Sequence, residues 1–82
     1  MRLLLIEDSC ALARELRALL GELADENIGF QHVETLGEAL RMLATESFDC
    51  LLVDLHLTDS EGLVTLDRLR ARAPASAIVA LA

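Results

Sequence analysis

The chain has 82 residues, is 54% hydrophobic and carries a formal charge of −7, with Arg supplying all seven of its basic residues. That length holds one domain, spanning residues 1–82, and the composition is that of a globular chain rather than a disordered one. The charges are scattered instead of forming a basic stripe, which argues against direct contact with nucleic-acid phosphates, and no apolar run approaches the roughly 20 residues that span a bilayer.

In chain order, the pattern predicts β-α-β-α-β-α-β. Leu3-Leu4-Leu5-Ile6 is apolar on both faces, as a central parallel strand requires, and it ends on Glu7-Asp8. Asp8 and Ser9 can cap a first helix, with Leu12, Leu16, Leu19, Leu20 and Leu23 as its inward stripe. A break is expected at 27–29, followed by a mixed-polarity edge strand over 30–34 that includes His32, to which no role is assigned. Thr35 and Glu38 are spaced as a capping box for a second helix with Leu36, Leu40 and Leu43 inward. Residues 49–54 form the clearest strand and end on Asp54.

Residues 55–60 are predicted as loop. Thr58 and Glu61 offer a second capping box, with Gly62 at the entrance of a third helix whose stripe is Leu63, Leu66 and Leu69. Arg68, Arg70 and Arg72 suit the negative end of that helix, and Pro74 stops it. Residues 77–82 make a fourth apolar strand, whose abrupt end suggests that the sequence covers part of a larger domain. Cys10 and Cys50 are 40 residues apart with no CxxC pattern, and are expected as reduced, half-buried thiols.

Alternating strands and helices imply a parallel sheet with right-handed crossovers. Ligands of such sheets bind beyond the carboxyl ends of the strands, where strand order reverses. If the first and third strands are neighbours, Glu7, Asp8 and Asp54 meet there. Clustered carboxylates repel one another unless a cation intervenes. Mg²⁺ accepts a few carboxylate oxygens and commonly shares its shell with a phosphate. An Asp beside such a cation can act as a nucleophile toward phosphorus.

The segment Leu3 to Ser9 resembles the opening of response-regulator receiver domains, and Val53 to Gly62 resembles the segment around their phosphorylated Asp. Thr35 to Leu43 resembles their second helix, and the resemblance runs over the whole chain. It implies a flavodoxin-like, CheY-like three-layer αβα fold with strand order 2-1-3-4, lacking the final helix-strand-helix. It further implies Asp54 as phosphoacceptor and Mg²⁺ bound by Glu7, Asp8, Asp54 and the backbone carbonyl of His56, with no catalytic residue of an enzyme. The partner would be a histidine kinase or phosphotransfer protein in the cytoplasm.

The sequence departs from the family in three places. Ala82 falls where receivers carry Thr or Ser, Thr58 where Pro is common, and no Lys is present. Ala82 and the missing Lys favour an alternative, a non-switching interaction module. Its incomplete sheet would drive homo-oligomerisation or a segment-exchanged dimer. A phosphohydrolase with an Asp nucleophile is disfavoured, because His56 stands where the haloacid dehalogenase-like enzymes need a second Asp. No GxGxxG follows the first strand, which disfavours dinucleotide binding.

Overall fold

A computed structural model describes residues 1–23 and 29–81, without the side chain of Leu23. The expectations for residues 27–28, for the Leu23 side chain and for Ala82 lie outside these residues. The elements are β1 (Arg2–Ile6), α1 (Cys10–Leu23), β2 (Gly29–Val33), α2 (Leu36–Leu43), β3 (Cys50–Asp54), β4 (His56–Leu57), β5 (Ser60–Glu61), α3 (Leu63–Arg72) and β6 (Ala77–Leu81).

The main sheet has the order β2-β1-β3-β6 and all its pairings are parallel. This is the expected 2-1-3-4 arrangement, with β6 as its fourth strand. The chain steps one way from β1 to β2, and the other way from β2 to β3 and from β3 to β6. Right-handed crossovers therefore put α1 on one face and α2 and α3 on the other.

Alternation along the strands sorts their side chains between the two faces. Leu4, Ile6, Val33, Leu51 and Val53 join Leu36, Ala39, Phe48, Leu57, Leu69 and Ala73 in a closed core beneath α2 and α3. On the α1 face, Leu3, Leu5 and Ala13 are buried, but Val79 is 45% exposed and Leu12 is 42% exposed. Among the described residues nothing covers the β6 flank of that face. The expected stripe of α1 is corrected accordingly. Its sheet-facing line runs through Ala13, Leu16 and Leu20, while Leu12 is left exposed beside the uncovered flank and Leu19 is exposed as well.

The first helix begins as expected, with Ser9 Oγ accepting from Leu12 N at 3.2 Å. Thr35 caps α2, its Oγ1 accepting from Glu38 N at 3.1 Å. The reciprocal half of the box differs, since Glu38 Oε1 takes the Thr35 hydroxyl at 3.3 Å instead of the backbone amide.

The expected 55–60 loop is an antiparallel β4–β5 hairpin. It replaces the second capping box: the residue before α3 is Gly62, which makes no side-chain cap bond. Gly62 has φ 65° and ψ −144°, a conformation essentially confined to Gly. The stripe of α3 is also rephased. Thr65 and Leu69 are buried, and Leu63 is 73% exposed. Cys50 is half-buried as expected, whereas Cys10 is exposed; both thiols are free.

Candidate functional site

Register decides what meets at the top of the sheet. Ile6 pairs with Val53, so the next residues, Glu7 and Asp54, end up side by side at the carboxyl ends of adjacent strands. Here the crossover direction also reverses, which opens a crevice. Glu7, Asp8 and Asp54 each offer a carboxylate oxygen, and these oxygens lie within 4.8 Å of one another. A groove of roughly 300 Å³ runs from Glu7 and Asp54 past Leu12 and Leu16 to Leu81.

Glu7 and Asp54 are fixed in place. The Glu7 amide donates to Val33 O at 3.0 Å. His32 donates from Nε2 to the Glu7 carbonyl at 2.8 Å. The edge strand β2 thus grips Glu7 by both backbone groups. The Glu7 side chain is buried, with Oε1 accepting from Ser9 N at 3.1 Å. Asp54 Oδ1 accepts from His56 N at 2.9 Å.

Burial raises the Glu7 pKa. The Ser9 amide opposes that rise, while hydrogen bonding and charge from Asp54, and a contact with Asp8, add to it. Forcing a charge onto a buried group among other anions costs stability. The donor set fits a hard divalent cation, which neutralises such a cluster and prefers carboxylate oxygens. The site was legible as a set of acids; the grip of His32 was not, because a lone His on a polar strand carries no pattern.

The raised Glu7 pKa sets a pH dependence in the absence of metal. A raised carboxyl pKa means that the folded state holds more protons than the unfolded one within the shifted window. In EDTA, stability is therefore expected to fall as pH rises from the ordinary Glu value of 4.5 through the higher folded value. Urea midpoints taken across that window check this, and a rise in midpoint there would contradict it.

Asp59 is held the opposite way. Asp59 is exposed, and the solvent its carboxylate loses works against ionisation, but amide bonds from Gly37 and Leu36, its own amide and Arg68 outweigh this and lower its pKa. The stability it contributes is present above the ordinary Asp value of 3.8 and is lost below, through the folded value. The exposed Cys10 thiol donates to Glu34 Oε1 at 3.0 Å, and that bond and charge push its pKa up, away from thiolate reactivity.

The family model described as "Response regulator receiver domain" matches residues 3–82. The chain belongs to that family. Receiver domains are generally signalling modules rather than enzymes; they work with histidine kinases or phosphotransfer proteins and bind Mg²⁺ through acidic clusters of this kind.

Among solved structures, the MaeR response regulator bound to beryllium trifluoride superposes with a TM-score of 0.87 at 23% identity, over 99% of this chain and 66% of that one. A sensor protein from Polaromonas sp. JS666 gives 0.81 at 30% identity, over 96% and 62%. An adenylate cyclase from Rhodopirellula baltica gives 0.84 at 24% identity, over 99% and 58%. The receiver chain thus spans less than two thirds of the length of these structures. No curated protein matches it. Among the described residues, no helix is long and apolar enough to cross a membrane.

Proposed function

We propose that this receiver accepts a phosphoryl group on Asp54 from a phosphohistidine of a kinase or phosphotransfer protein, within a cytoplasmic relay. The observation that carries the reading is the convergence of Glu7, Asp8 and Asp54 at the strand-order switch. An Asp54 carboxylate oxygen attacks phosphorus, the phosphorus–nitrogen bond breaks, and imidazole leaves with the electron pair. Glu7, Asp8, Asp54 and the His56 backbone carbonyl would hold Mg²⁺. The cation's contribution is to neutralise charge on the phosphoryl oxygens. His56 N, already on Asp54 Oδ1, orients the carboxylate so that its other oxygen is the nucleophile.

The beryllium trifluoride complex of MaeR supports the reading by fold alone. Likeness to the cyclase at 24% identity brings no cyclase chemistry with it. The test is incubation with Mg²⁺ and acetyl phosphate, followed by mass spectrometry. A hydroxylamine-labile phosphoryl adduct is expected in the wild type and none in Asp54→Asn. An adduct that persists in Asp54→Asn would remove Asp54 from the role.

A second property follows from β6. It lies at the edge of the main sheet, it is wholly apolar in sequence, and Val79 on it is exposed. Unpaired apolar edges invite strand addition. The chain is expected to self-associate through this edge, as a homo-oligomer or a segment-exchanged dimer. Light scattering that stays monomeric at high concentration would rule this out.

A further inference from the structure

The hairpin after Asp54 carries the His56 backbone, so its position sets the geometry of the acidic pocket. It is pinned at its root by Gly62 N donating to Leu55 O at 2.8 Å. The Ser60 and Thr65 hydroxyls share a bond of 2.6 Å that ties its second strand to α3. Its tip is Thr58-Asp59, and Thr58 does not lock φ as a Pro would.

Asp59 supplies what fixes the tip. Its Oδ1 accepts from Leu36 N and its Oδ2 from Gly37 N, both at 2.9 Å, across 23 and 22 residues of sequence. These are the first two orphan amides of α2, and Thr35 Oγ1 takes the third, that of Glu38. One carboxylate therefore joins α2 to the strand-end loop. From there, three residues of backbone lead to the His56 amide that holds Asp54 Oδ1.

We infer that Asp59 is a positioning residue: by clasping the first turn of α2 it fixes where the β4–β5 hairpin presents the His56 backbone, and so tunes the pocket's affinity for Mg²⁺. This rests on the metal-binding reading above. The competing view is that Asp59 only caps a helix. The two differ in what they predict for Thr35→Ala, which uncaps the same helix without touching the hairpin.

The test is Mg²⁺ titration of the full chain by calorimetry, with amide NMR and hydrogen exchange, on wild type, Asp59→Ala, Asp59→Asn and Thr35→Ala. Asp59→Ala is expected to weaken Mg²⁺ binding roughly tenfold, the lower end for a group that supports a metal ligand. It should also speed exchange at the His56 amide. Asp59→Asn keeps one acceptor oxygen and should fall between; it carries the test if the Ala variant does not fold. Thr35→Ala should lose stability but keep wild-type Mg²⁺ affinity.

Unchanged affinity in both Asp59 variants, or an equal loss in Thr35→Ala, overturns the inference. If wild type binds no Mg²⁺, the functional reading fails separately. The His56 amide then decides: faster exchange in Asp59→Ala supports the clasp, and unchanged exchange overturns it.

Discussion

Adding Mg²⁺ at about 100 times its dissociation constant is expected to stabilise the chain by about 2.7 kcal/mol, or roughly 10–20 °C in Tm for a domain of this size. The cause is the strain already described: a buried Glu7 carboxyl beside Asp8 and Asp54, with oxygens within 4.8 Å. A cation removes that repulsion in the folded state and finds no such cluster in the unfolded chain. Thermal melts in EDTA, in Mg²⁺ and in NaCl of matched ionic strength check this. Screening by NaCl gives a small rise at most, because partly buried charges are poorly screened.

The variants should separate the parts. Asp8→Asn and Asp54→Asn are expected to lose most of the Mg²⁺ gain. Glu7→Gln should raise Tm in EDTA, since it removes the charge that burial opposes, and should shrink the gain. An equal gain in NaCl, or a metal-free Glu7→Gln variant that is no more stable than wild type, would contradict this account.

Leu51→Ala is expected to cost about 3–5 kcal/mol, the usual range for emptying a fully buried leucine site. Leu51 has 0% exposure and sits mid-strand in the closed core beneath α2 and α3. An 82-residue domain has roughly 4–12 kcal/mol in total, so the variant should lose a large fraction of its stability. Leu19→Ala is the matched comparison. The sequence stripe gives Leu19 the same standing as Leu51, but it is 56% exposed and should change stability by about 0.5 kcal/mol or less. Urea denaturation of both variants checks the assignment of faces. Similar losses in the two would contradict that assignment.

Most of the fold was legible because its signals are local. An apolar run closed by an acid identifies a central strand, and Leu3 to Glu7 and Cys50 to Asp54 both carry it. Pro74 ends a helix by its chemistry, wherever the rest of the chain lies. What failed was helix phase. Leu12, Leu19 and Leu63 lie on plausible apolar stripes, yet they are exposed. Periodicity defines a stripe; the layer it meets decides how wide the buried part is. The 55–60 region was read as loop because two-residue strands leave no periodic trace.

By itself, the sequence determined the order of the four main strands and three helices and put three acids at strand ends; the choice of Asp54 among them came from the resemblance to receiver domains. The elements and the positions of the acids follow from hydrophobic pattern and strand-end position, which are properties of short segments. Tertiary structure alone decided what each acid experiences. Pairing of Ile6 with Val53 put Glu7 beside Asp54, burial pushed its pKa up, and His32 and Asp59 became supports across 25 and 23 residues of sequence. A hydrogen bond between distant segments depends on register and crossover geometry, and neither is written in any local pattern.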